Sequence, residues 1–178
     1  MELEPISFIS KPFLRSLWTL EYEAFKDSET EQRIIKALKN WSERKDQKET
    51  SAESAFIDVF FKGLWGYNQS GQGSEKAFSL YPKFPVKGGG VNGGTGFPDL
   101  AIGWFEREGV PDIPQVLCEF KDIKSNLDAS QKNRKNNTRS PVKQCLDYLS
   151  SARRGLFGNE GILPTWGIVT DMNEFRLY

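Results

Sequence analysis

Apolar residues recur at helical spacing in four stretches of the chain, and they predict helices over about residues 13–26, 30–45, 51–65 and 140–154. We interpret the first two as packing helices with a solvated face and assign them no chemistry. The last has a favourable start, because Ser140 can act as N-cap and Pro141 suits the first helical position.

Apolar runs predict five β-strands, over about residues 77–81, 97–105, 115–121, 166–170 and 174–178, the first of them a candidate edge strand. In the third strand, alternation assigns the residues to two faces: Val116, Cys118 and Phe120 on one, Leu117, Glu119 and Lys121 on the other. The first half of this strand is apolar on both faces, which is typical of a covered central strand. The pattern predicts an α/β fold with a central mixed sheet of four or five strands and helices on both sides.

A chain of 178 residues suits one ordinary domain with a sizeable core. We expect residues 51–178 to form that core domain and residues 1–50 to be a helical extension packed on it. The formal net charge is zero, so global charge does not indicate a polyanionic partner. Basic residues nevertheless outnumber acidic ones between residues 121 and 154, whereas the N-terminal third is more acidic.

The sequence contains no histidine. This excludes His-Cys zinc sites, Ser-His-Asp triads, Cys-His dyads and histidine-based metal nucleases, so any catalysis must use carboxylates, lysine or tyrosine. Cys118 and Cys145 both lie in apolar patterns, which predicts buried, reduced thiols. We find no signal peptide and no apolar run long enough to span a membrane, and we therefore expect a cytoplasmic protein.

Three charged residues stand where the second and third strands begin or end. Asp99 lies near the start of the second predicted strand, and Glu119 and Lys121 end the third. One hairpin separates them, so neighbouring strands can bring them together. Two carboxylates make an oxygen site suited to Mg²⁺, and a lysine beside it can orient or deprotonate a water molecule. This is the chemistry of metal-assisted phosphodiester hydrolysis.

Simpler interpretations exist for the same residues. Asp99 after Pro98 is also typical of a turn, and Glu119 with Lys121 could be an ion pair on an exposed strand. A covered strand argues against the second alternative, because charges at the end of such a strand need a reason. Glu53 also has two interpretations: Thr50-x-x-Glu53 fits a capping box, but Glu53 could also be a third acidic residue directed at the metal.

Two polar loops complete the candidate features. The glycine-rich run over residues 87–96 is not a phosphate loop, since no Gly-Lys-Ser/Thr follows and the next element is a predicted strand; we interpret it as a flexible hairpin connection. Residues 122–140 are either a solvated linker or a DNA-facing segment. In the second case the phosphate-binding candidates are Lys124, Lys132, Arg134, Lys135 and Arg139.

Pro98-Asp99 followed by Glu119-Phe120-Lys121 resembles the motif of the PD-(D/E)xK nucleases. Gln144 and Tyr148 share a helix face and resemble the QxxxY motif of one branch of that family. Residues 166–178 resemble the end of the nuclease module in type IIG and related type I or III restriction enzymes. There a methyltransferase or specificity module follows, and we accordingly expect this chain to be a fragment of a longer protein.

The resemblance implies a restriction-endonuclease-like core and a DNA endonuclease that depends on Mg²⁺, with Mn²⁺ as a substitute. It implies the following roles: Asp99 and Glu119 as metal ligands with the Phe120 carbonyl, Glu53 as a direct or water-mediated ligand, Lys121 as the water-positioning residue, and Gln144 and Tyr148 near the site or the substrate backbone. No residue is a candidate for reading bases.

Three alternatives remain beside this interpretation. One is a structure-specific or recombination nuclease of the same superfamily. Another is a non-catalytic DNA-binding module that keeps the fold. The third is an α/β domain whose motif is a coincidence, which predicts that Asp99 and Glu119 lie far apart.

Overall fold

The computed structural model describes residues 10–44, 49–71, 76–131, 138–155 and 164–178. The chain divides into two compact units, Met1–Arg44 and Lys45–Tyr178. Within the described residues, no helix has both the length and the apolar character needed to cross a membrane.

The first unit contains two helices, α1 (Lys11–Phe25) and α2 (Glu29–Ser42), close to the two that the apolar spacing predicts. Each begins at a serine whose hydroxyl oxygen accepts a main-chain N–H bond: Ser10 from Phe13 and Ser28 from Glu31. These N-caps satisfy donors that have no partner inside the helix.

The second unit is built on a five-stranded mixed sheet. Its strands are β1 (Phe78–Pro82), β2 (Leu100–Phe105), β3 (Ile113–Phe120), β4 (Trp166–Thr170) and β5 (Phe175–Leu177), and they lie side by side in chain order. Among the pairs that these five strands form, only β3–β4 is parallel. The helix α4 (Pro141–Gly155) makes the crossover that a parallel pair requires. The number of strands, the edge position of β1 and the central position of β3 are confirmed. The second strand begins later than predicted, at Leu100, so Asp99 lies just before it.

The two faces of β3 contact different helices, as its alternation predicts. Phe120 packs against Phe56 and Phe61, with ring centroids 5.5 and 5.8 Å apart, so the helix of residues 49–64 covers that face. On the other face the Leu117 side chain lies in one buried cluster with Tyr148 and Leu149 of α4. The prediction of an α/β fold with helices on both sides of the sheet is confirmed.

Close approach of α4 to the sheet depends on Gly167 in β4. A Cβ atom at this position would lie 2.7 Å from Cys145 Sγ and 2.9 Å from Leu149 Cδ1. Contacts this short do not occur between real side chains, so any larger residue would push α4 away from the strands that it covers.

The helix predicted over residues 51–65 is not a single α-helix. It begins as α3 (Glu49–Phe56) and continues as a π-helical segment, Ile57–Leu64. The wider turn is visible in the Trp65 N–H, which donates to the Phe60 carbonyl five residues back at 2.9 Å. Both Phe60 and Phe61 are buried here, so the widened helix buries two adjacent aromatic residues. Apolar spacing alone does not distinguish this geometry from an α-helix.

The glycine-rich connection between β1 and β2 is ordered by contacts, where the sequence predicts a flexible link. Val86 and Gly96 form an antiparallel bridge, and Val91–Gly93 form a single 3₁₀ turn. Gly96 lies against the ring of Tyr148, where a Cβ atom would be 2.5 Å from Cε1. Gly89 and Gly96 therefore allow the loop to approach α4 closely.

Candidate active site at the end of strand β3

Asp99 directly precedes β2, beside the residues that end β3. The last register pair before it is Leu100 with Cys118. The Asp99 side chain is buried, and its Oδ2 atom accepts the main-chain N–H of Phe120 at 2.6 Å. This bond ties the two strand ends together and fixes the carboxylate. Asp99 is therefore more than a turn residue, and the coincidence hypothesis, which places Asp99 and Glu119 far apart, is wrong on this point.

Glu119 and Lys121 form a buried ion pair. Lys121 Nζ donates to Glu119 Oε1 at 2.5 Å and to the Phe120 carbonyl at 2.6 Å. The Lys121 main-chain N–H continues the pairing with β4 by donating to the Thr170 carbonyl at 2.9 Å. Both side chains are almost fully excluded from solvent. The alternative of an exposed strand ion pair is therefore wrong.

Lys83 joins this cluster, although the sequence pattern does not single it out. It follows β1 directly, and its ammonium group pairs with Asp99 Oδ1 and, at 3.5 Å, with Glu53 Oε1. Burial alone would lower the pKa of Lys83, but the two carboxylates outweigh that effect and the pKa is raised. The only sequence signal is a lysine between Pro82 and Pro85 at a strand end, which becomes meaningful once β1 is paired with β2.

Glu53 projects from α3 towards the same group of charges. Its side chain is mostly buried and contacts Lys83. The capping-box hypothesis depends on Thr50, whose side chain lies outside the described residues. The ion pair with Lys83 brings Glu53 beside the buried charges, which is the location that the acidic-ligand hypothesis requires.

Gln144 and Tyr148 lie on the face of α4 that covers the sheet. Both are buried, and Gln144 Nε2 donates to Tyr148 Oη at 2.7 Å. Burial and then the negative charge of Glu119 raise the pKa of Tyr148, with a smaller contribution from Asp99. Tyr148 is therefore a neutral phenol beside the two carboxylates, and it can donate a hydrogen bond but not act as a base near neutral pH.

The two cysteines can be excluded as nucleophiles. Cys118 and Cys145 are both buried free thiols. Burial raises the pKa of Cys145 to about 12, with a further contribution from Glu119, and it raises that of Cys118 well above its ordinary value. A thiol with such a pKa carries almost no thiolate at neutral pH, so neither is reactive.

The DNA-binding candidates have different positions. Arg139 joins α4 to the glycine-rich connection: its Nη1 atom donates to Asp147 Oδ2 at 2.8 Å and to the carbonyl of Gly89 at 3.3 Å. Lys124 has an exposed side chain, and its main-chain N–H donates to the buried Asp171 carboxylate at 2.9 Å. The remaining candidates, Lys132, Arg134 and Lys135, lie outside the described residues.

The donor atoms at the end of β3 are oxygens of the kind that Mg²⁺ prefers. They are the carboxylates of Asp99 and Glu119 and the main-chain carbonyl of Phe120. Across the part of the chain that the structure describes, no group of three or more Asp, Glu, Cys or His side chains is arranged to hold a metal. Two carboxylates are nevertheless a sufficient protein contribution for Mg²⁺, which keeps several waters and also binds substrate phosphates. The donor atoms at this site are therefore of the type that binds a magnesium ion.

Comparisons with known proteins add no relative to this picture. No protein-family model matches the chain, and neither a curated protein nor a solved structure matches it significantly.

Proposed function

We propose that this chain is a Mg²⁺-dependent DNA endonuclease module that hydrolyses phosphodiester bonds. The observation that carries the proposal is the burial of Asp99, Glu119 and Lys121 together at the end of β3. Removing three charged groups from water is expensive and contributes little to stability even when they are paired. A functional role explains their burial better than a structural one does.

The charges of the cluster favour a cation. Three carboxylates, those of Glu53, Asp99 and Glu119, face the two ammonium groups of Lys83 and Lys121. The five groups together carry an excess of negative charge, which in a partly buried site attracts a divalent cation. One oxygen of Glu119, Oε2, is buried and accepts no hydrogen bond from the described residues, although Oε1 is bonded to Lys121.

In this proposal Asp99, Glu119 and the Phe120 carbonyl hold the metal ion, with Glu53 beside them. When bound, the ion would supply positive charge to the phosphate and lower the pKa of a water molecule. The Phe120 N–H holds Asp99 in place, and the pairing of β3 with β4 holds Lys121. Lys121 keeps an ammonium group fixed at the site, where it can orient a water molecule for attack. Neutral Tyr148, fixed by Gln144, borders the same site.

The narrower identity rests on the sequence resemblance alone. We propose the cleavage domain of a cytoplasmic restriction–modification enzyme, in which a methyltransferase or specificity module supplies target recognition. A structure-specific nuclease of the same superfamily would use the same side chains, so the substrates of the experiment must separate the two.

The test is cleavage of supercoiled plasmid by the 178-residue protein with Mg²⁺, with Mn²⁺ and with EDTA. The decisive comparison is the Lys121→Ala protein, purified identically and assayed at a temperature where circular dichroism shows both to be folded. Lys143→Ala is the matched control, because Lys143 is an exposed lysine on α4. We expect metal-dependent nicking that Lys143→Ala retains and Lys121→Ala loses. Branched and single-stranded substrates, run in parallel, test the structure-specific alternative.

Two results would contradict the proposal. Equal cleavage by wild type and Lys121→Ala would indicate a contaminant or a wrongly assigned site. If neither the 178-residue protein nor the full-length protein cleaves DNA, yet DNA is bound, the non-catalytic DNA-binding alternative would replace the nuclease.

A further inference from the structure

Two lysines contact the carboxylates of the candidate site, but they are held very differently. The Lys121 side chain is 6% exposed and is enclosed by the ends of β3 and β4. The Lys83 side chain is 51% exposed, although its ammonium group contacts both Asp99 and Glu53. Lys83 can therefore turn into solvent without disturbing the core, whereas Lys121 cannot.

The backbone of Lys83 is also unusual. Its φ is +55°, a left-handed conformation that is uncommon for a residue with a Cβ atom. The conformation is maintained by a main-chain bond, since the Lys83 N–H donates to the Asp99 carbonyl at 3.1 Å. Residues in such conformations cluster at functional sites, where surrounding contacts hold them. Lys83 is thus anchored to Asp99 through its backbone, independently of where its side chain points.

We propose that Lys83 is an internal counter-cation: its ammonium group pairs with Asp99 and Glu53, neutralises carboxylates that the divalent cation of the proposed site would bind, and is displaced into solvent by that cation. This inference rests on the metal site of the proposed function and extends it to a residue outside the recognised motif. An ammonium group and a divalent cation are both stabilised by the same carboxylate oxygens, so they compete for them. The main-chain bond keeps Lys83 close enough to return when the cation leaves.

The first test measures the Lys83 amine directly in the wild-type protein. A water-soluble N-hydroxysuccinimide ester acetylates accessible amines, and mass spectrometry after digestion by a protease that does not cut at lysine gives the rate at each lysine. We expect Mg²⁺ to speed acetylation of Lys83 at least about fivefold over EDTA. Lys76, which is exposed, is the internal control and should show no change. An identical Lys83 rate with and without Mg²⁺ overturns the proposal.

The second test measures Mn²⁺ affinity by isothermal titration calorimetry. Lys83→Met removes the charge and keeps a long side chain, so we expect Mn²⁺ to bind about tenfold more tightly, which is 1.4 kcal/mol. Lys83→Arg, which keeps the charge, should bind Mn²⁺ no more tightly than wild type. Lys76→Met controls for the loss of one positive charge from the surface.

Asp99→Asn separates failure of this inference from failure of the metal site. If Asp99→Asn loses Mn²⁺ binding while Lys83→Met binds as wild type does, the metal site stands and the role of Lys83 is overturned. If wild type does not bind Mn²⁺, or Asp99→Asn binds it equally well, the metal site itself is wrong and the proposal for Lys83 falls with it.

Discussion

Removal of Lys121 should destabilise the protein far more than removal of a surface lysine in an equally short ion pair. Lys121 Nζ lies 2.5 Å from Glu119 Oε1, and both side chains are nearly inaccessible to solvent. Lys121→Met would leave Glu119 as a charge buried without this partner. Breaking a buried pair in this way costs about 3–5 kcal/mol.

The matched control is Lys143→Met. Lys143 Nζ lies 2.6 Å from Asp147 Oδ1, but the lysine side chain is 63% exposed. Water screens this pair, so its loss should cost less than about 1 kcal/mol. The two lysines therefore have almost the same ion-pair distance and differ mainly in burial.

The measurement is urea unfolding in EDTA, followed by circular dichroism. With a dependence of about 2 kcal/mol per molar urea, Lys121→Met should lower the midpoint by about 2 M and Lys143→Met by less than about 0.5 M. The double variant Glu119→Gln/Lys121→Met removes both charges and should be more stable than Lys121→Met alone. The double-mutant cycle should give a coupling energy of about 2–3 kcal/mol.

The reasoning is refuted if Lys121→Met costs no more than Lys143→Met, or if Glu119→Gln does not restore stability in the double variant. Either result would mean that water reaches Glu119 and that the pair behaves as an exposed one. Burial of these charges would then no longer indicate a function.

Three further outcomes test other parts of the fold. Gly96→Ala should lose about 1–3 kcal/mol in urea unfolding, because its Cβ would lie 2.5 Å from a carbon of Tyr148; Gly94→Ala, whose nearest contact is 3.4 Å, should be close to wild type. Asp171→Ala should lose about 2–4 kcal/mol in the same assay, since this buried carboxylate accepts main-chain N–H bonds from Lys124, Asn173 and Glu174. Burial would raise the pKa of Asp147, but hydrogen bonds from its two cationic partners, Lys143 and Arg139, outweigh this effect and lower the pKa. The wild-type protein should therefore have a higher free energy of unfolding than Asp147→Asn above about pH 4, and urea unfolding should show this difference disappear as acid protonates Asp147.

Much of the fold follows from local sequence patterns. Apolar spacing predicts the five strands, and alternation along β3 assigns Leu117 to the face that α4 covers and Phe120 to the aromatic face. These predictions succeed because each depends on neighbours within one element, and the period of a strand is fixed by its backbone geometry.

The π-helical segment is different, because its geometry depends on tertiary packing. The residues from Ile57 to Leu64 have an apolar pattern that an α-helix would also satisfy. The sheet presents Phe120, and the helix widens where Phe60 and Phe61 are both buried. A pattern of polar and apolar positions contains no information about the rings on the opposite surface.

The residues of the candidate site also differ in how far the sequence alone predicts them. Glu119 and Lys121 are two positions apart on one strand, so parity alone assigns them to one face. To place Asp99 beside them, one must also infer that a hairpin connects the two strands, and the sequence indicates this directly.

To predict that Lys83 belongs to the site, one must know the alignment of β1 with β2, and no local sequence pattern gives that alignment. The register of β1 on β2 shifts between Phe78 and Leu80, so counting from the start of the strand would misplace every later residue. Lys83, whose charge opposes cation binding in our proposal, is thus a residue that the sequence pattern does not single out. A sequence motif contains the side chains that a reaction needs. The basic side chains that neutralise them in the absence of the metal ion can come from any part of the chain that the fold brings close. Lys83 meets that requirement through a register shift and one main-chain bond to Asp99, and we infer that substitutions there should change metal affinity before they change the fold.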